Sequence, residues 1–244
     1  MHIESTAVGR NPHIRQIDVV FANPVIDTGS VPETVSPVGG LIALRTAAAV
    51  VELVSSSASD AAAGTGARTI EVHGLDADYN EVSETFTMNG ATPVVGTTLF
   101  FRINHVHVRT AGTGKTNAGY ITIQDAGAGT TRSYIGVGRG RSEVGVFTVP
   151  AGHTMLAVYW SLASRDGTGS SSADVEFWAT KDGVRSISWV AIAENTISVS
   201  VPNTPHTWGE KTDIEVIVAR VQNNSTVVSF HGHGLLVGPN ADLA

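Results

Sequence analysis

The chain has 244 residues, no cysteine and a formal net charge of −7 at pH 7. The lack of cysteine excludes disulfides, thiolate metal sites and cysteine nucleophiles, and the negative charge disfavours binding to the phosphate backbone of nucleic acids. Charged residues make up 15% of the chain, against roughly 25% in ordinary soluble proteins. This low value indicates that part of the surface is covered by other copies of the chain or by a partner protein.

Residues 1–40 are predicted to form an extended arm. Pro12, Pro24, Pro32 and Pro37 surround its one largely apolar segment, residues 17–22. Because proline has no backbone N–H and fits poorly into the middle of a sheet, this spacing favours an extended segment. A long edge strand with loops is the alternative. The arm has no basic patch followed by an apolar run, so no secretory signal is expected.

Residues 41–54 are the one segment whose composition is compatible with a helix. Its alanines favour a helix, whereas its valines and the polar run Ser55–Ser57 that follows favour a strand. Arg45 and Glu52 interrupt the apolar stretch, which is also too short to cross a bilayer, so no membrane association is predicted. Residues 58–67 are mostly small and are interpreted as a flexible connection.

After this connection, apolar and polar residues alternate with a period of two. Residues 68–73 and 81–88 are alternating runs on either side of a loop rich in Asp and Asn, which predicts a β-hairpin. Asn89-Gly90 is a turn dipeptide, because both residues tolerate positive φ. Further strands are predicted at 99–109 and 119–124.

The same alternation continues to the end of the chain. It predicts strands at residues 134–138, 144–149, 154–160, 173–180, 184–193, 195–201, 212–221 and 227–237. About a dozen strands without a clear helix predict an all-β fold of antiparallel β-sandwich or jelly-roll units. We divide the chain into the extended N-terminal arm, an N-terminal β domain over residues 41–131 and a C-terminal jelly-roll-like domain over residues 132–244.

The motifs that resemble cofactor sites fail on their spacing. Residues 111–116 look like a phosphate-binding loop, but Arg109 stands where that motif needs glycine, and a strand follows Lys115 instead of a helix. Gly136–Gly140 resembles a dinucleotide fingerprint with a misplaced third glycine. No Gly-x-Ser-x-Gly elbow occurs. The sequence therefore predicts no enzyme, no catalytic residue and no cofactor.

Two His-x-His pairs, His105/His107 and His231/His233, place both imidazoles of a pair on one face of a strand. That geometry can bind a metal ion, but neither pair has a further ligand nearby in the sequence, so exposed or interface histidines are the preferred interpretation and no metal site is predicted. One alternative is a cupin-like metalloenzyme that uses His105, His107 or His153, since Pro150-Ala151-Gly152-His153 resembles a cupin turn.

The segment 202–213 is a long irregular loop that carries a tryptophan among mixed charges. A tryptophan in a loop can anchor an interface, and the alternative is that it caps the open end of a sandwich. The candidate interface residues are Trp208, Glu210, Lys211, Asp213 and, from the apolar segment of the arm, Phe21. Tyr79, Trp189 and Trp208 are candidates for stacking against a sugar.

Two stretches of the chain resemble structural proteins of tailed bacteriophages. The first runs from residue 61 to 78 and on through Asn89-Gly90 to Asn104; the second combines residues 147–152 with 210–216. The resemblance implies a virion structural protein assembled in the host cytoplasm, with β-sandwiches in trimers or other symmetric homo-oligomers. We expect capsid decoration, or cement, with the major capsid protein or other virion proteins as partners. The alternative is a tail, baseplate or fibre component that binds a host receptor or a glycan.

Overall fold

The computed structural model describes residues 13–166, 172–193 and 206–239 in full and the backbone of residues 198–200. Every regular element of these residues is a β-strand, and all strand pairs are antiparallel. The prediction of an all-β, antiparallel fold is confirmed. Among the described residues there is no helix of the length and apolarity that crossing a membrane requires.

The described part of the chain contains 17 strands. In chain order they are β1 (Ile14–Ile26), β2 (Glu33–Thr34), β3 (Val51–Ser55), β4 (Ala67–Leu75), β5 (Glu81–Thr87), β6 (Val94–Val95), β7 (Arg102–Ala111), β8 (Ile121–Asp125), β9 (Thr131–Ile135), β10 (Val146–Thr148), β11 (Thr154–Arg165), β12 (Ala173–Lys181), β13 (Val184–Ala193), β14 (Ser198–Ser200), β15 (His206–Trp208), β16 (Asp213–Val221) and β17 (Thr226–Val237).

These strands form four sheets, which we name after one strand of each. The β1 sheet has the order β1-β17-β11-β14, with β15 also paired to β11, and the β16 sheet has the order β10-β16-β12-β13, with β2 also paired to β16. The β3 sheet has the order β6-β3-β8-β9, and the β4 sheet has the order β5-β4-β7. The neighbours of most strands are therefore distant in the sequence.

The β1 and β16 sheets share one hydrophobic core. Trp160 of β11 lies at its centre and stacks on Phe177 of β12 with ring centroids 4.5 Å apart and on Trp208 of β15 at 5.6 Å. Phe21 of β1 stacks on Phe230 of β17 at 5.5 Å. All five rings are buried, so aromatic side chains from both sheets hold this core together.

The β3 and β4 sheets share a second core, made mainly of branched aliphatic side chains. Leu53 and Ile123 of the β3 sheet and Ile70 and Val106 of the β4 sheet are fully buried in it. Alternation explains the pattern, because every second residue of a strand points to the same face. All buried members of this second core lie between residues 51 and 135.

A buried ion pair joins these two parts of the chain. The guanidinium of Arg102, at the start of β7, donates to both carboxylate oxygens of Asp213, at the start of β16, at 2.7 and 2.9 Å. The hydroxyl of Thr148 donates to the same carboxylate at 2.6 Å. Asn104 and Thr148 exchange two further hydrogen bonds of 2.8 Å. The carboxylate of Asp213 thus has charged and neutral donors inside the protein.

Several predicted elements agree with the structure. The hairpin predicted at 68–73 and 81–88 is β4–β5, and Gly90 adopts the positive φ expected of its turn. The β12–β13 hairpin turns at Asp182-Gly183, where both residues have positive φ, as tight hairpins require. The segment 41–54 contains no helix, and β3 begins within it at Val51.

The predicted N-terminal arm differs from the structure in its described part. Residues 14–26 form β1, which pairs with β17 along its length. The register shifts only between Asn23 and Ile26, around Pro24, so the proline lies where the ladder is already irregular. Residues 1–12 lie outside the described residues, as does part of the strand predicted at 195–201. The division at residues 131 and 132 stays a prediction.

Candidate functional site

The β4–β7 ladder brings together four polar side chains that we call the histidine–glutamate cluster: Glu71, His73, His105 and His107. In the register of this pair, Glu71 lies opposite His107 and His73 lies opposite His105. Residues that face each other in an antiparallel pair point to the same side of the sheet. One Glu-x-His and one His-x-His therefore form a compact square on one face.

The three imidazoles of the cluster stack on one another. Ring centroids lie 5.1 Å apart for His105 and His107, 5.4 Å apart for His73 and His107 and 6.1 Å apart for His73 and His105. The carboxylate of Glu71 lies between two of them, 3.7 Å from Nε2 of His73 and 3.6 Å from Nε2 of His107. Each oxygen of this carboxylate thus faces the Nε2 of one imidazole.

Arg109, two residues after His107, also binds Glu71. Its guanidinium donates to Oε2 of Glu71 at 2.5 Å, while 54% of its side chain is exposed. Burial raises the pKa of Glu71, but the hydrogen bond from Arg109 and the charges of His73, Arg109 and His107 outweigh this effect and hold the pKa below its usual value. The carboxylate is therefore ionised at neutral pH.

The environment favours neutral imidazoles at two positions of the cluster. Burial, with the charges of His107 and Arg141, lowers the pKa of His105 to about 4. Burial and the charge of His73 also lower the pKa of His107, against the opposing effect of Glu71. Nδ1 of His107 is buried without a hydrogen-bond partner. A neutral imidazole has a free lone pair, which is the form that binds metal ions.

A cavity of about 360 Å³ lies beside the cluster, between the β4 sheet and β1. Its lining includes His73 and His105 of the β4 sheet and Asp18 of β1. Arg141 also lines the cavity and donates to the backbone carbonyl of Asp18 at 3.2 Å. The lining therefore combines charges of both signs with apolar side chains such as Val19 and Phe147, and its residues come from strands far apart in the sequence.

The second His-x-His pair has a different environment. His233 of β17 lies opposite Asp18 of β1, and its Nδ1 is 2.5 Å from a carboxylate oxygen of Asp18. Tyr159 packs against both His231 and His233, with ring centroids 6.5 and 5.8 Å apart. Among the described residues, only Glu71, His73 and His107 place three potential ligand atoms within 4.8 Å of one another.

The structure separates the five predicted interface residues. Trp208, Phe21 and Asp213 are buried within the chain, the first two in the aromatic core and the third in the ion pair with Arg102. Glu210 and Lys211 are exposed, and Glu210 accepts a hydrogen bond from the backbone N–H of Gly152 at 2.6 Å. An interface role stays a prediction, and only the last two side chains are accessible for it in this subunit.

The residues predicted for sugar stacking and for a cupin-like site do not converge. Tyr79 packs edge-on against Phe101 at 5.3 Å, and Trp189 packs against the aromatic core. Nδ1 of His153 lies 2.9 Å from the carbonyl oxygen of Ala151 in its own turn. His153 is absent from the group of ligand atoms around His107.

Sequence reasoning missed Glu71 and His73 as neighbours of the first histidine pair. The available signal was the Glu71-x-His73 spacing within a predicted strand, which repeats the period of His105-x-His107. The pairing of β4 with β7 joins residues 27 to 44 positions apart, and no local pattern specifies such a register. In comparisons with known proteins, no family model matches the chain, and no curated protein matches it.

Proposed function

We propose that this protein is a non-enzymatic structural component of a tailed-phage virion, a jelly roll with a second β unit inserted, that decorates and stabilises the capsid through symmetric protein–protein contacts. The order of the strands in the β1 and β16 sheets carries this proposal. The charge-poor sequence and the resemblance of residues 61–104, 147–152 and 210–216 to virion proteins support it independently.

The strand order supports the proposal of a jelly roll, an eight-stranded arrangement in two sheets that is common in viral capsid proteins. From β10 to β17 successive strands alternate between the β16 and β1 sheets, except that β12 and β13 both lie in the β16 sheet and β14 and β15 both lie in the β1 sheet. β14 and β15 pair with successive parts of β11 and take one strand position. With β1 added beside β17, each sheet has four strand positions.

An exposed apolar strand edge supports assembly into a larger structure. Among the described residues β13 pairs on one side only, with β12. Its side chains Val184, Val190 and Ile192 are 71%, 53% and 59% exposed. Soluble proteins ordinarily protect such edges, since unpaired backbone groups next to apolar side chains favour association. We assign this edge to the contact between copies of the subunit.

In the proposed capsid decoration, weak contacts between this protein and the shell proteins are repeated many times over the particle. Each oligomer would bridge neighbouring shell proteins, and many equivalent contacts add up across the symmetric particle. The exposed Glu210 and Lys211 are the predicted residues that remain accessible for the shell. The alternative is a tail, baseplate or fibre component that binds a receptor or glycan. Such a component would also form a symmetric oligomer, but it would be located in the tail and not on the capsid.

A mass-spectrometric census of purified virions tests the proposal. We expect the protein in many copies per particle, and in tail-less heads at the same ratio to the major capsid protein. Native mass measurement of the purified chain should give a symmetric homo-oligomer, with a trimer expected. Absence from purified particles contradicts a virion role, and enrichment in tails with absence from heads supports the alternative location.

A further inference from the structure

We propose that Glu71, His73 and His107 form a binding site for a divalent ion of the zinc class on the face of the β4 sheet. Their ligand atoms all lie within 4.8 Å of one another. The ion would connect the central strand β4 to its neighbour β7. This binding does not depend on where the protein acts, and it can be measured on the isolated chain.

The distances are close to those of a bound site. Two ligands of a tetrahedral zinc ion, each about 2.1 Å from the metal, lie about 3.4 Å apart. Oε1 of Glu71 is 3.7 Å from Nε2 of His73, and Oε2 of Glu71 is 3.6 Å from Nε2 of His107. Rotation of the carboxylate and of the half-exposed His73 side chain would bring one oxygen and both imidazoles around a single ion.

The backbone already fixes the positions of the three ligands. β4 is paired on both sides, with β5 and with β7, and Glu71 and His107 are direct partners in the β4–β7 ladder. Little conformational freedom is lost when the ion binds, because the strands position the side chains before any ligand arrives. Two residues come from one strand and one from the next, so the ion acts as a cross-link.

The ligand set selects the class of ion. Two imidazoles and one carboxylate suit zinc and neighbouring transition metals, and three protein ligands leave a position for water. Calcium and magnesium prefer oxygen ligands throughout. The charge also fits, because the ionised carboxylate of Glu71 offsets part of the charge of a divalent ion.

Arg109 is the competitor for Glu71. Its guanidinium occupies Oε2 of the carboxylate, yet more than half of its side chain is exposed. Because water can solvate this exposed guanidinium, the arginine can turn away from the carboxylate when the ion binds, while the Glu71 side chain, which is 16% exposed, stays in place. The unpartnered Nδ1 of His107 means that this ligand has no second hydrogen bond to orient it, a feature that lowers affinity for metal by roughly 10–100-fold in other sites.

The experiment titrates the metal-free protein, as the whole 244-residue chain, with zinc alone near neutral pH. Isothermal titration calorimetry measures the binding, and thermal unfolding with and without zinc measures the melting temperature. We expect saturable binding of one zinc ion per chain and an increase in melting temperature. Cobalt should give the absorption of a tetrahedral site at the same stoichiometry. Magnesium and calcium should not bind measurably.

Variants assign the binding to these residues. Glu71→Gln and His73→Gln should each weaken zinc binding at least tenfold, roughly the smallest loss that follows removal of a supporting group. The double variant His231→Gln/His233→Gln is the matched control, because it removes the other His-x-His pair from the same molecule, and it should bind zinc within twofold of the wild type. If Glu71→Gln does not fold, His73→Gln alone tests the assignment of the site. This variant is expected to fold, because 42% of the His73 side chain is exposed.

Three results would overturn the proposal. The first is the absence of stoichiometric zinc binding by the folded protein. The second is unchanged affinity in a folded His73→Gln or Glu71→Gln variant. The third is loss of binding in the His231/His233 control, which would move the site to the β1 sheet.

Discussion

Glu52 shows how a single buried carboxylate can hold a loop. The side chain is 4% exposed and accepts hydrogen bonds from the amide of Gln124 at 2.7 Å and from the backbone N–H groups of Gly127 and Ala128 at 2.9 and 2.8 Å. These bonds lower the pKa of Glu52 against the opposing effect of burial. The loop between β8 and β9 therefore closes around an ionised acceptor.

The first prediction concerns the pH dependence of this contact. A carboxylate whose pKa is lowered on folding contributes stability above its ordinary pKa, which for Glu52 is 4.5, and this contribution disappears as the pH falls through the lower folded value. Glu52→Gln should therefore reduce the free energy of unfolding by about 1.5–3 kcal/mol at pH 7, and by progressively less below pH 4.5.

Urea unfolding of wild type and variant across this pH range measures the difference. Glu81→Gln is the control, because Glu81 is exposed and pairs only with the exposed Arg15 among the described residues. Its effect should stay below about 1 kcal/mol. A gap between Glu52→Gln and wild type that does not change with pH would disprove this explanation.

At the residue scale, the sequence indicates which side chains are buried better than it indicates which residues they contact. Alternation identifies Ile70 and Val72 as inward-facing, and both are fully buried. It did not indicate that Gly74, interpreted as part of a loop, lies inside β4. A Cβ there would be 2.1 Å from the backbone oxygen of Arg102, so glycine permits the close approach of β7. This close approach depends on Arg102 of β7, which is 28 residues further along the chain, and the sequence around Gly74 does not indicate it.

At the scale of elements, the ion pair between Arg102 and Asp213 joins β7 to β16. Both side chains are more than 90% buried. Removing one partner of a buried pair leaves an uncompensated charge, which costs more than the pair itself contributes. The second prediction is that Arg102→Met lowers the free energy of unfolding by about 3–5 kcal/mol.

The double variant Arg102→Met/Asp213→Leu should recover a large part of this loss, because it removes both charges. Arg15→Met, which breaks an exposed pair with Glu81, should cost about 1 kcal/mol or less. Chemical denaturation of all three variants provides the comparison. A double variant that is less stable than the single one would show that Asp213 is stabilised mainly by Thr148 and other neighbours.

The third prediction concerns the edge strand β13. If its apolar side chains mediate self-association, Val190→Lys/Ile192→Lys should weaken the oligomer at least tenfold, since each apolar side chain contributes about 1.5–3 kcal/mol when buried. The monomer should keep its melting behaviour, because both side chains are exposed in the subunit. Leu99→Lys, equally exposed in another part of the chain, should leave the oligomer unchanged. Analytical ultracentrifugation distinguishes these outcomes.

Hairpins, whose two strands are neighbours in the sequence, were predictable. The pairing of strands that are distant in the sequence was not. The β4–β5 and β12–β13 hairpins follow from alternation and from turn residues such as Asp182-Gly183. The pairing of β1 with β17 joins the two ends of the described chain, and nothing in residues 14–26 specifies that partner. For the same reason the histidine pair was visible in the sequence, while the glutamate and third histidine that complete the cluster were not.

For the whole molecule, the distribution of buried side chains supports the proposed insertion of a second β unit. The aromatic core contains no residue between Val35 and Phe147, and the aliphatic core lies entirely within this interval. The N–H of Gly145 donates to the carbonyl of Val35 at 2.7 Å, so the chain leaves and re-enters the part formed by the β1 and β16 sheets at adjacent points. Connections with close ends tolerate insertion of a folded unit.

The fourth prediction follows from this geometry. Replacement of residues 37–143 by a short Gly/Ser linker should give a protein that folds on its own, provided that Asp213→Asn removes the charge left without Arg102. All four tryptophans remain in the shortened chain, and Trp160 and Trp208 should stay buried and give the emission of an apolar environment. Cooperative loss of this emission in urea would support independent folding of the part formed by the β1 and β16 sheets. Emission typical of exposed tryptophan in the absence of urea would mean that the inserted unit is needed for the aromatic core to form, and the two parts would then be one cooperative domain.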